Sequence, residues 1–272
     1  MKTIVVATDF SPVALNAARY ATEMAMSINA EILLLHVCQL PVTYGEAPAV
    51  INEGDMIQDA EKDLYQLSQQ LSIKTNNKIT ISTEVSLGLF LHELKNVCER
   101  VNPYAVIMGC QGTTAADHLL QGSHAVQAVK HLSWPVITVP PGAGFSTIKK
   151  IALACDFNRV ADTVPLDEIK ILVHDFNATL YVLNTGNQIS FDSGIMDEFA
   201  VLKKMLTGLD PVYEFIAGEN IDEGILDYAE KNNIGLLLVL PKRRNLLDNI
   251  FHKSHTKNMV LHSHVPVMVL HH

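Results

Sequence analysis

The chain contains the same plan twice. Ile4-Val5-Val6-Ala7-Thr8-Asp9-Phe10-Ser11 returns 147 positions later as Ile151-Ala152-Leu153-Ala154-Cys155-Asp156-Phe157-Asn158, each copy a short apolar run ending in Asp-Phe. The segment from Gly122-Ser123-His124 to Trp134-Pro135-Val136-Ile137 returns 131 positions later, from Lys253-Ser254-His255 to Val265-Pro266-Val267-Met268. An internal repeat fixes both the number of units and the equivalent positions within them. The second copy is about 16 residues shorter in its middle, where the first carries the polar stretch from Thr43 to Asp59. Pro140-Pro141-Gly142-Ala143-Gly144 lies between the copies and has the composition that stops a strand and joins domains. The expected division is a domain over 1–140, a linker over 141–147 and a second domain over 148–272.

Within the first copy, apolar runs at 3–8, 31–37, 79–85, 104–108 and 135–139 read as strands, and helical patterns occupy roughly 12–28, 55–72, 89–100 and 123–132. The second copy repeats the strands near 150–155, 179–184, 212–217, 235–240 and 265–270. Strand and helix in alternation predict an α/β fold, an open parallel sheet with helices on both faces. The alanines at 14, 17, 18, 21 and 25 mark a helix face packed closely on that sheet. In open sheets of this kind a ligand sits beyond the carboxyl ends of the strands, where strand order reverses, so residues just after strands are the ones to inspect.

The bulk numbers exclude more than they assign. With 48% hydrophobic and 18% charged residues the chain reads as compact and globular. A formal charge of −9 and the lack of a long basic run argue against a nucleic-acid partner. The apolar run after Met1-Lys2-Thr3 stops at Asp9, too short for a signal or a membrane span, so a cytoplasmic chain without a membrane partner is expected. Cys38, Cys98, Cys110 and Cys155 form no C-x-x-C pair, and of the four Cys110, in a glycine loop, is the one read as open to exposure. The twelve histidines include paired ones in the second copy, but no carboxylate or thiolate accompanies them at ligand spacing, and no metal site is assigned.

After the run Tyr104 to Met108 comes Gly109-Cys110-Gln111-Gly112, then nine residues, then Gly122-Ser123 opening a helix. Glycines permit close backbone approach, and a helix start offers unpaired N–H groups and the positive end of its dipole, so such a loop can cradle phosphates. It can equally be a tight strand-to-helix connection with no ligand. Asp9 and Asp156 likewise read either as ligand contacts or as turn and cap residues ahead of the first helix of each copy. No Walker loop and no G-x-G-x-x-G after a strand occurs, which removes kinase-type and standard dinucleotide sites.

The pattern G-x2-G-x9-G-[ST], with an Asp at the end of the first strand, resembles the ATP-binding class of universal stress proteins. Asp9-Phe10-Ser11, Leu35-His36-Val37 and Trp134-Pro135-Val136 add to the likeness, which extends over both copies. The resemblance implies two tandem Rossmann-like domains of the adenine nucleotide alpha hydrolase type. It implies ATP, or AMP or ADP, with or without magnesium, as the ligand of the first domain. Adenine and ribose would lie against Ala7, Thr8, Asp9 and Val37, the ribose and phosphate side against Met108, Gly109 and Gly112, and the phosphates at Gly122, Ser123 and His124. It also implies pairing of the two domains through their last strands, Pro135 to Val139 against Pro266 to Leu270, as an intramolecular pseudo-dimer, with a homodimer as a further possibility.

At the equivalent places in the second copy, Gly109, Gly112 and Gly122 become Leu240, Arg243 and Lys253, while Ser123 remains Ser254. Long side chains are expected to fill the phosphate space there, so ATP binding is expected only in the first domain. Lys242, Arg243, Arg244 and Lys253 form either a solvated face or a site for another anion. Three functions follow: a non-catalytic, nucleotide-dependent regulator of a stress response, a slow ATP hydrolase or self-phosphorylating protein, and a ligand-independent interaction module. The first is favoured, because only His124 and Asp117 near the loop have side chains suited to moving a proton, and no catalytic residue is assigned.

Overall fold

The computed structural model describes residues 1–39, 52–111, 124–185, 193–216, 220–241 and 255–271. The first half runs β1 (Lys2–Ala7), α1 (Pro12–Ile28), β2 (Ala30–Cys38), α2 (Glu53–Lys74), β3 (Ile81–Leu87), α3 (Phe90–Val101), β4 (Ala105–Gly109), α4 (His124–His131) and β5 (Val136–Val139). The second half runs β6 (Lys150–Ala154), α5 (Val160–Thr163), α6 (Leu166–Phe176), β7 (Thr179–Thr185), α7 (Ser193–Met205), β8 (Val212–Ile216), α8 (Ile221–Lys231), β9 (Leu236–Val239), α9 (His255–His262) and β10 (Val267–Val269).

Each first helix starts where its sequence says it should. Ser11 caps α1 by accepting a hydrogen bond from the Ala14 N–H at 3.3 Å, and Pro12 follows at the first turn, where its missing N–H costs nothing. In the second half Pro165 interrupts the same span, leaving the one-turn α5 and then α6. The helix expected from 55 begins at Glu53, because Asn52 accepts from the Gly54 N–H at 3.1 Å and Glu53 and Asp55 favour the positive end of the dipole. Part of the polar stretch read as an insertion is therefore the first turns of α2. Residues 40–51 lie outside the described ones.

Alternate residues of β1 feed two cores. Ile4 and Val6 point to one face with Ala17, Ala18, Ala21 and Ala25 of α1, while Val5 and Ala7 point to the other with Leu94, Val97 and Ala128. Both faces are covered, as a parallel sheet of this composition requires. The strands form one sheet in the order β3-β2-β1-β4-β5-β10-β9-β6-β7-β8. All neighbours are parallel except β5 and β10, which pair antiparallel with Val267 opposite Thr138 and Val269 opposite Val136. The halves also meet away from this seam. Asp175 of α6 takes the ammonium of Lys2 and, at 2.9 Å, the hydroxyl of Tyr104. The linker is held on α1, where the Asn16 amide donates to the carbonyls of Pro140 and Ala143 at 3.3 and 3.0 Å, and Phe145 packs edge-on to Tyr20.

Candidate functional site

Within each half the strand order reverses once, between β1 and β4 in the first and between β6 and β9 in the second. Ala7, Thr8 and Asp9 stand at the end of β1, Met108 and Gly109 at the end of β4, and Val37 near the end of β2, so the topology brings these six predicted positions to one crevice. His124 joins them as the first residue of α4. Gly112, Gly122 and Ser123 lie outside the described residues.

The turn leaving β1 explains its own sequence. Phe10 adopts a positive φ of 62°, a conformation costly for a bulky side chain. Two hydrogen bonds hold it. The Phe10 N–H donates to the Thr8 hydroxyl at 3.0 Å and the Ser11 N–H to Asp9 Oδ1 at 3.0 Å. The second half copies this turn, with Phe157 at φ 52° and the Asn158 N–H donating to Asp156 Oδ1 at 3.2 Å. Asp at both places thus serves a side-chain-closed turn whether or not a ligand is bound. Burial works to raise the pKa of Asp9, but the hydroxyl and N–H of Ser11 and the nearby His124 outweigh it and hold the carboxyl below its ordinary value.

Gly109 also has a structural cause. A Cβ there would stand 2.7 Å from the backbone carbonyl carbon and oxygen of Val13 and 2.8 Å from its Cγ1. The glycine is what lets the start of α1 lie across β4. Met108 and Ala7 are buried in the core on the α3 and α4 side of the sheet. Cys110, read as open to exposure, is instead buried at 3%. Its N–H pairs with the Val139 carbonyl at 3.0 Å, which carries the ladder one residue beyond β4 and turns the thiol inward. Burial pushes that thiol up to about 11, the opposite of activation.

Three residues beyond the predicted set complete the crevice. His36 sits on β2 beside Thr8. Its Nδ1–H donates to the Thr8 carbonyl at 2.8 Å and its ring packs on Phe10 with centroids 4.8 Å apart. Phe90, the first residue of α3, stacks on the His124 ring at 4.2 Å and 13°. Gln39, just past β2, donates its amide to His124 Nε2 at 3.2 Å. Burial pushes the His124 pKa below its ordinary value against the pull of Asp9, which favours the form of the ring that can accept that bond. The position of His36 at a strand end was visible in the sequence, whereas contacts from Gln39 and Phe90 depend on elements far apart in the chain.

The second half uses the same scaffold differently. Asn184 replaces His36 and donates to the Cys155 carbonyl at 2.7 Å. Leu240 stands where the first half has Gly109, and α5 packs on α7 instead of lying across β9 as α1 lies across β4. His255, the counterpart of His124, turns to Asp222 of α8. Asp222 accepts from His255 Nδ1 and from the Asn258 amide, both at 2.7 Å. Asp222 occupies the place of Leu91, so the direction of the histidine follows from one residue on the preceding helix. A cavity of about 380 Å³ opens beside α7, lined by Asp156, Phe157, Asn158, Gly194, Ile195 and Glu198. Lys242, Arg243, Arg244 and Lys253 lie outside the described residues. Among the described residues no helix is long and apolar enough to cross a membrane.

Comparison with known proteins bears on both halves. The family model described as the universal stress protein family matches residues 1–140 and 147–271. A universal stress protein of Methanocaldococcus jannaschii is 29% identical over 145 residues, covering 51% of this chain and 81% of that one. The crystal structure of a universal stress protein from Archaeoglobus fulgidus matches with a TM-score of 0.76 at 18% identity, covering 99% of this chain and 98% of the other. A functionally unknown protein from Pseudomonas aeruginosa matches with a TM-score of 0.64 at 13% identity over 100% of this chain and 92% of its own. These structural likenesses establish the fold.

Proposed function

As the chain belongs to the universal stress protein family, we propose that its N-terminal half binds ATP or a related adenine nucleotide, AMP or ADP, and acts as a non-catalytic regulator in the cytoplasm. The observation that carries this reading is the crevice at the β1/β4 reversal, where the Asp9 carboxylate, the end of β4 and the start of α4 converge. Asp9 would accept from the ribose hydroxyls, while the α4 N-terminus with Gly122, Ser123 and His124 would take the phosphates, magnesium neutralising part of their charge. Thr8, Val37 and Gly109 would shape the walls. Gly109 fits this use only through its backbone, because the space a side chain would fill already belongs to Val13.

Binding without turnover is favoured because phosphoryl transfer needs a positioned base, and only His124 and Asp117 near the loop have side chains suited to that. The β5–β10 seam would make the chain an intramolecular pseudo-dimer in which one half is responsive and the other supports it. Calorimetric titration of Mg-ATP into the wild type and into Gly122→Lys tests the reading. One saturable site per chain, lost in the variant, is expected. Absence of heat in wild-type protein shown by extraction to carry no nucleotide would overturn it.

A further inference from the structure

The Gln39–His124 contact joins parts of the first half that lie on opposite sides of β1. Gln39 follows β2, His124 begins the helix after β4, and the strand order is β2-β1-β4. A bond between them crosses over the end of β1, where Thr8 and Asp9 stand. The His124 ring is braced from behind by Phe90 at 4.2 Å and lies close enough to Asp9 for each to bias the other's ionisation. Among the described residues of the second half, His255 is instead held on the α8 side by its bond to Asp222. In the first half the equivalent residue is Leu91, which offers no polar group, and the ring is left to reach across the crevice.

We infer that Gln39 and His124 form a latch over the crevice that discriminates between ligands by their phosphates. The inference rests on the nucleotide reading of the site. A nucleoside makes no demand on the start of α4 and can lie beneath the closed bridge. A polyphosphate is drawn to the N–H groups and positive dipole end of α4, where His124 sits, and must displace the ring from Gln39 to get there. Gln39 then acts as a specificity-determining residue without touching the ligand.

Calorimetric titration of ATP and of adenosine into the wild type, Gln39→Ala and Gln39→Glu tests this. Gln39 is exposed, so neither substitution threatens the fold. Removing the bridge should tighten ATP roughly fivefold, the effect of one hydrogen bond of ordinary net strength, relative to adenosine. Gln39→Glu, which gives His124 a stronger partner and places a charge near the phosphates, should weaken ATP relative to adenosine. If the wild type binds ATP and neither variant shifts the ratio of the two affinities by more than twofold, the latch is overturned and the binding site stands. If the wild type binds neither ligand, the nucleotide reading falls and takes the latch with it.

Discussion

Residue 109 is a glycine and its counterpart, residue 240, is a leucine, and the helices above them respond in kind. In the N-terminal half α1 is one continuous helix lying across β4, with Val13 where a side chain on Gly109 would be. In the C-terminal half the corresponding span breaks at Pro165 and its first turn packs on α7. The turn beneath is nevertheless the same in both, down to the positive φ of the phenylalanine and the carboxylate that closes it. The comparison separates what the scaffold needs from what a ligand could use. Asp-Phe is needed by the scaffold, because both halves keep it. Glycine at the end of the fourth strand is needed only where the first helix lies across it, as in the N-terminal half.

Copying one half into the other should break this symmetry most at residue 109. Gly109→Leu forces α1 off β4 and is expected to cost about 3 kcal/mol, read from urea unfolding with the m-value monitored. A loss under about 1 kcal/mol would show that α1 can shift freely and that its approach is not what the glycine secures. Next in size is Asp222→Ala. It removes a largely buried carboxylate that accepts from His255 and Asn258 and should destabilise by about 2 kcal/mol. An unchanged unfolding midpoint would mean the clasp between α8 and α9 has no net value.

The turns give a paired test. Asp9→Ala and Asp156→Ala should each cost about 1 kcal/mol, since each removes one side-chain bond to a backbone N–H. Only the first should abolish nucleotide binding in a calorimetric titration. Equal loss of binding in both would mean that the C-terminal half contributes to the site. The smallest effect is that of pH. Burial lowers the pKa of His124 and of His271, so the unfolded chain takes up these protons first as pH falls. Stability is therefore full above the unfolded value of about 6.5 and declines from there down through the lower folded values. The decline in urea midpoint should be shallower in His124→Gln, and an identical profile would remove His124 from the account.

Much of this was legible in the sequence. Strand positions followed from runs of Ile, Val and Leu, and the first helix from its pattern over 12–28 with the alanines toward the sheet. Gly109 was found for an incomplete reason. A missing side chain leaves room, and a pattern of letters does not say whether a ligand or a neighbouring helix takes it. The fate of Cys110 depended on one additional ladder bond to Val139, and the turning of His255 toward Asp222 on a contact 33 residues away in the chain. Such pairings are decided by packing, after the local pattern has done its part.

The single antiparallel pairing in the sheet, between β5 and β10, has a consequence for access. Every strand of the N-terminal half runs one way and every strand of the C-terminal half runs the other, so the two reversal points open at opposite ends of the molecule. No small ligand can span them, and neither can pass its cargo directly to the other. A protein that docks on one end meets the crevice of Asp9 and His124, and one that docks on the other meets the cavity beside Asp156 and Glu198. The chain therefore has a front and a back, and a nucleotide bound as proposed would be readable from one direction only.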